Sequence, residues 1–337
     1  MFAFSSGGAP NLSVMPGGPR RAAPPPLPRF SVDGCEIEVR GALDLDAAAD
    51  AWTRLARRAL EPSPFCEHAF LATAARHLPE GRLLDTLFVW RGETLLGVAP
   101  VAGPRLGAPL RRLAPWRVAL LPEATPLIDR DEAPRVVGAL LAFAAERRVP
   151  LILGDVPAGS ALARTLGEAG LRTFAAPGVE AVATGTSAPA AAGLEIVVAR
   201  SPGEIRDAVE LFLALEAETA LARRAPALVQ DPGRANLVRA ASRRAAREKA
   251  CRVLLAKRDG RPVAALVCAR ATAWLSTQAD DAPGAVAALL ARARIAPPAA
   301  RADWTSAPPP SARRPGARAA ELVAAARKLL APLSQAS

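Results

Sequence analysis

Two adjacent carboxylates, Asp280 and Asp281, stand just before Pro283, Gly284 and Ala285 in the stretch "DDAPGAVAALL" (Asp280 to Leu290). Proline opens a helix readily because its missing N–H is not needed there, and an apolar run follows. The stretch therefore predicts a turn that enters a helix. The first N–H groups of a helix lack partners and carry partial positive charge, which suits a phosphate, and glycine lets a ligand approach the backbone closely. The two acids admit two readings, as proton acceptors or as plain N-caps, and both stay open. Glu216 and Glu218 in "FLALEAETA" (Phe212 to Ala220) are further carboxylates beside an apolar helix, equally compatible with an ordinary exposed helix end.

Other chemistries lack their residues. There is no GxSxG elbow, no GxxxxGK[ST] loop and no strand-associated GxGxxG, which argues against hydrolase, nucleotide-hydrolysing and dinucleotide-binding functions. Cys35, Cys66, Cys251 and Cys268 are far apart and show no ligand spacing, so neither a zinc site nor a disulfide framework is expected. His68 and His77 sit at helix ends without a Cys, Asp or Glu arrangement, and are read as solvated or partly packed.

Charge narrows the partners. A net charge of +11 invites a polyanion, yet lysine occurs only at 249, 257 and 328, and the arginines are scattered among Ala, Pro and Gly. The chain has no tyrosine for base stacking. Nucleic acid is not the expected partner, and the helix "RANLVRAASRRAAREK" (Arg234 to Lys249) is its one candidate. No apolar run is long enough to span a membrane, and the start lacks a secretory pattern. A cytoplasmic protein with reduced thiols is expected.

The elements that must position these residues follow a repeated order. Residues 1–29 read as a disordered tail rich in Pro, Gly and Arg. "CEIEVR" reads as a strand, and two helices follow, the second being "CEHAFLATAARHL"; then come "LLDTLFVW" and "TLLGVAPVAG", joined as a hairpin at Arg91-Gly92. An extended segment reaches Asp129, and helix, strand, helix and strand complete a first module, 30–183. Residues 184–193, small and uncharged, make a linker. The order then restarts in a second module, 194–337: the strand "LEIVVAR", two helices capped at Ser201 and Asp231, and a hairpin turning at Asp259-Gly260 with a third strand around Trp274. No strand is expected in the Pro- and Ala-rich stretch after Arg294. The fold class is mixed α/β.

Strand, two helices, meander, strand and helix is the order of the GNAT acyltransferase fold, and five segments resemble its CelD-like or BioF-like acetyltransferases, which are similar to the tandem FemABX transferases. They are "PSPFCEHAFLATAARHL" (Pro62 to Leu78), "ATPLID" (Ala124 to Asp129), "FLALEAETA", "RDGRPVAALVCAR" (Arg258 to Arg270) and "DDAPGAVAALL". The resemblance implies two GNAT-like modules with mixed central sheets. It also implies acyl-CoA (acetyl-CoA) as co-substrate, no metal, and a small-molecule or saccharide amine as acceptor, in envelope or polysaccharide metabolism. By the same resemblance Pro283, Gly284 and Ala285 hold the co-substrate, Asp280, Asp281 and Glu216 serve proton transfer, and Glu218 and Trp274 meet the substrate. A FemABX-like reading would make tRNA the donor. The chain departs from the family pattern where Leu275 replaces an expected lysine and "STQADDAPG" lacks an expected tyrosine, which favours a scaffold that has lost its site. Two matches to the family's phosphate-loop pattern, "RTLGEA" (Arg164 to Ala169) and "QDPGRA" (Gln230 to Ala235), do not follow strands.

Overall fold

The Cys35–Gly41 strand (β2) alternates so that Cys35 and Ile37 are buried, and it pairs with Arg29–Val32 (β1) through an Asp33-Gly34 turn. The computed structural model describes residues 29–103, 112–174, 193–295 and 299–306. The expected tail and linker lie outside these, apart from Arg29 and Gly193.

A 3-10 turn at Leu45–Ala48 leads into α1 (Ala49–Arg58), and α2 (His68–His77) follows. Next come β3 (Leu84–Arg91), β4 (Thr94–Ala102) and the two-residue β5 (Leu127–Ile128). The five strands form one antiparallel sheet in the order β1-β2-β3-β4-β5. β3 is a nearly continuous apolar run because both its faces are covered. Leu87 and Val89 pack in one core with Val136, Val137, Leu140 and Phe143 of α3 (Ala133–Glu146), while Phe88 packs on the opposite side with Trp52 and Leu55 of α1. Strand β6 (Ile152–Pro157), α4 (Ala161–Glu168) and β7 (Arg172–Phe174) complete this part. The extended segment expected before Asp129 forms only β5 and isolated bridges. Residues 118–126 bulge away from β4, which pairs with Pro115 on one side of the bulge and with Leu127 on the other.

The second part repeats the order. After β8 (Glu195–Ala199), α5 (Pro202–Ala222) starts from a capping box: the Ser201 hydroxyl accepts the Glu204 N–H, and the Glu204 carboxylate accepts the Ser201 N–H. Ser201→Ala is expected to lower stability by about 1 kcal/mol, read as a shifted urea midpoint with an unchanged slope. Helix α6 (Pro232–Arg247) is capped by Asp231, whose side chain accepts the Arg234 N–H at 3.1 Å. A Cβ on Gly233 would lie 2.4 Å from the His77 carbonyl oxygen, so the glycine of "QDPGRA" serves the close approach of α6 to α2. Strands β9 (Cys251–Arg258), β10 (Arg261–Ala269) and β11 (Thr272–Gln278) follow, with Asp259 and Gly260 both at positive φ in the β9–β10 turn. The sheet order is β11-β10-β9-β8, and α7 (Ala285–Ala293) covers one face.

The Pro-rich stretch holds a strand after all. β12 (Arg301–Thr305) inserts antiparallel between β6 and β7 of the first module, giving the order β6-β12-β7. β6 and β7 each need a ladder partner for their backbone groups, and this late segment supplies it to both. "RADWT" is short, free of proline and alternating, with Asp303 and Thr305 buried and Trp304 partly exposed. The mixed α/β architecture holds; among the described residues the ladders between strands are antiparallel, and parallel pairing is confined to the Leu113–Leu151 bridge. The two modules share a core. One cluster runs from Trp52, Phe65 and Phe70 to Leu237, Val267 and Trp274.

Candidate functional site

β11 is the edge strand of its sheet, and beyond Gln278 the chain turns through Pro283 and Gly284 into α7. Gly284 is the N-cap with φ +80°, a backbone conformation that glycine adopts without steric cost. Neither Asp280 nor Asp281 caps the helix. Gln278 does so instead, its Oε1 accepting the Val286 N–H at 3.1 Å. Asp280 accepts from Arg223 Nη2 at 2.9 Å, and Asp281 lies 4.0 Å from Arg258, whose Nη1 donates to the Asp281 carbonyl. Arg261 donates to Glu218 at 3.1 Å. The end of α5, the β9–β10 turn and the end of β11 thus gather Glu218, Asp280 and Asp281 at one end of the second sheet, each exposed and each beside an arginine.

The other expected site residues go elsewhere. Glu216 accepts the Leu228 N–H at 2.9 Å and so anchors the 3-10 turn before α6. Trp274 is buried between the modules, edge-on to Phe70 at 5.0 Å, and its indole N–H donates to the Leu120 carbonyl at 2.7 Å. Ala285, the first residue of α7, is fully buried, whereas Pro283 is exposed.

A buried charged cluster in the first module went unforeseen. Asp155 sits in β6 at φ +53°, a left-handed position tolerated by Asp more than by most residues. Its carboxylate accepts the Ala124 N–H at 2.8 Å and Arg117 Nε at 3.2 Å, its carbonyl accepts Thr125 Oγ1 at 2.7 Å, and its own N–H donates to Asp303 of β12 at 3.1 Å. Arg117 also bonds Asp303. Arg301 of β12 donates to the Asp155 carbonyl at 2.8 Å and to Thr125 at 3.0 Å, and pairs with Glu123. The bulge 118–126 is therefore tied to β6 and β12.

Glu123 is the least satisfied member. It is 5% exposed, and its Oε1 has no hydrogen-bond partner. Burial pushes its carboxyl up to about 7, against the lowering pull of Arg301 and with Asp155 adding to the rise. The thiol of Cys66 is pushed up as well, by burial first, so it stays protonated and is no nucleophile. In the "PEATPLID" run Glu123 is one acid of an expected extended segment, and its partners Asp155 and Arg301 lie 32 and 178 residues along the chain, so no local pattern links them.

His68 corrects the expectation of a solvated or partly packed ring. It is 4% exposed, tilted against Trp52 at 5.5 Å between centroids, with Nε2 2.9 Å from Asp46 and Nδ1 2.9 Å from Arg244 of α6. Burial, then the Arg244 charge, hold its pKa below the ordinary value. The neutral ring accepts from Arg244 at Nδ1 and donates from Nε2 to Asp46. Beside it Glu67, buried, takes Arg270 of the second module as a partner.

A family model described as an acetyltransferase (GNAT) domain matches residues 186–276, a span that includes β8 and most of β11 but less than half of the chain. Residues 186–276 thus match a GNAT acetyltransferase domain. No curated protein matches the chain. Among solved structures it is similar to a tandem GNAT protein from the clavulanic acid biosynthesis pathway, at 17% identity over 82% of this chain and 99% of that one, with a TM-score of 0.37. It is also similar to the C-terminal domain of an Agrobacterium fabrum protein bearing the name lysylphosphatidylglycerol synthetase, at 13% identity, 74% and 76% coverage and a TM-score of 0.43. A conserved protein of unknown function from Bacteroides thetaiotaomicron is similar at 12% identity, 83% and 98% coverage and a TM-score of 0.42.

Proposed function

We propose that this protein is a GNAT-type N-acyltransferase of the CelD-like or BioF-like kind, moving an acyl group from acyl-CoA to the amine of a small-molecule or saccharide acceptor. The observation that carries the reading is the edge of β11, unpaired among the described residues, running into the Gly284 turn and α7, within and just beyond the segment that matches the GNAT domain. An edge strand offers unpaired N–H and C=O groups to an amide-bearing arm such as pantetheine. A glycine turn opening a helix suits a diphosphate, and Arg223 and Arg258 stand beside it with exposed guanidinium groups. Pro283, Gly284 and Ala285 form the turn, Gln278 is the cap that a phosphate would displace, and Asp280 and Asp281 hold Arg223 and Arg258 beside it.

Bound there, the co-substrate would supply an activated thioester carbonyl. The amine nitrogen forms a bond to that carbon, the C–S bond breaks, and the thiolate leaves and is protonated. Glu218 lies at the same end for acceptor contact, while Glu216 and Trp274 are engaged in packing and capping. Calorimetry with acetyl-CoA and longer acyl-CoAs is expected to show saturable binding that Gly284→Val abolishes, since a β-branched side chain is strained at φ +80°. Absence of any heat at millimolar acyl-CoA would sink the reading.

A second reading is a GNAT-fold binding protein that has lost its site. It is favoured by β12, which follows α7 yet joins β6 and β7 and leaves β11 without a second wall among the described residues. That reading expects no acyl-CoA binding and an unchanged thermal midpoint with ligand.

A further inference from the structure

Helices α2 and α6 meet along the seam between the modules, and the groove beside their contact is a cleft of about 350 Å³. Arg76 and His77 line it from α2, and Arg243, Arg244 and Arg247 from α6. On α6 the spacings of three and four residues put these arginines on one stripe, where like charges repel. Four guanidinium groups thus face one cleft, and the only carboxylate paired with any of them among the described residues is Asp46, which bonds Arg76 and lies 3.8 Å from Arg244. Arg243 donates only to the Arg239 carbonyl, and no carboxylate partners Arg243 or Arg247 among the described residues. The fold has therefore set four guanidinium groups at one cleft against one paired carboxylate, Asp46, with Glu210 of α5 in electrostatic reach of Arg243.

The floor of the cleft is built rather than loose. Arg244 is held by the buried ring of His68, and the other nitrogen of that ring holds Asp46, which in turn holds Arg76. Arg76 and Arg244 come from different modules and are fixed in advance of any ligand, which lowers the ordering cost of binding one. Guanidinium groups in such number match the oxygens of phosphates, each able to take two parallel hydrogen bonds. The volume is that of a small-molecule pocket, and neither Phe nor Trp lines it to stack a base.

We infer that the α2–α6 cleft binds a small ligand carrying two or more phosphate groups, held by Arg243 and Arg247 together with the prearranged Arg76 and Arg244. This site is separate from the Gly284 turn and stands whether or not acyl-CoA binds there.

The test uses the full chain and inorganic pyrophosphate and tripolyphosphate, titrated by calorimetry at moderate salt. Saturable binding is expected, weakened at least about tenfold in the double variant Arg243→Ala/Arg247→Ala. Arg243→Lys/Arg247→Lys is expected to fall between the two, because lysine keeps the charge but not the paired donors. Both variants change exposed side chains, and an unchanged thermal midpoint confirms that they fold. A short single-stranded RNA serves as competitor. No pyrophosphate binding at millimolar concentration, equal binding by the double alanine variant, or RNA binding that pyrophosphate fails to displace would each overturn the inference.

Discussion

Arg301→Met is expected to destabilise the protein by about 3–5 kcal/mol at about pH 8 and by much less at about pH 5. Arg301 is the ion partner of Glu123 and donates to Thr125 and the Asp155 carbonyl, all inside the first module's cluster. The folded pKa of Glu123 already stands at about 7, above its ordinary 4.5, because burial outweighs the arginine. A carboxyl with a raised folded value contributes its full stability below the unfolded pKa and loses it as pH rises through the folded one. The intact protein should therefore weaken between about pH 4.5 and 7. Removing Arg301 takes away the charge that held Glu123 down, so the loss extends to higher pH. Urea unfolding at the two pH values checks this, and Glu123→Gln in the Arg301→Met background should restore most of the stability at the higher pH. An equal cost at both would mean that Glu123 is not the group left uncompensated.

Trp274→Ala is expected to cost about 3–5 kcal/mol, the range for removing a large buried aromatic side chain. The indole packs against Phe65 and Phe70 of the first module and donates to Leu120, so its loss opens a cavity in the seam and orphans a carbonyl together. Trp274→Phe keeps most of the ring contact and should cost about 1–3 kcal/mol, the cost of leaving the buried Leu120 carbonyl unsatisfied. Thermal unfolding followed by circular dichroism separates the two. A Trp274→Ala protein as stable as the parent would return the residue to a role in substrate contact.

Legibility in the sequence followed the range of the interactions. The β3–β4 and β9–β10 hairpins, the caps at Ser201 and Asp231, and the helix opened by Pro283 and Gly284 depend on residues a few positions apart. Turn glycines, capping side chains and apolar periodicity therefore announced them. The stretch after Arg294 failed for a related reason: its prolines dominate the composition, and the five residues of β12 become a strand only because β6 and β7 already offer two ladders.

The candidate site divides in the same way. The Gly284 turn was legible because backbone conformation there is a local matter. The partners of Asp280, Asp281, Glu218 and Trp274 were not, since each ion pair or hydrogen bond joins groups brought together by packing.

By itself, then, the sequence determined the elements, their repeated order and the turn chemistry, because these rest on steric preference and periodicity over a few residues. Only the tertiary structure decided that β12 joins β6 and β7 in a sheet of their own, that Glu123 is buried beside Asp155 and Arg301, and that arginines of α2 and α6 converge on one cleft. Those arrangements depend on desolvation and charge across as much as 186 residues of chain, from Arg117 to Asp303. No spacing rule carries such a distance, whereas burial of a shared core does.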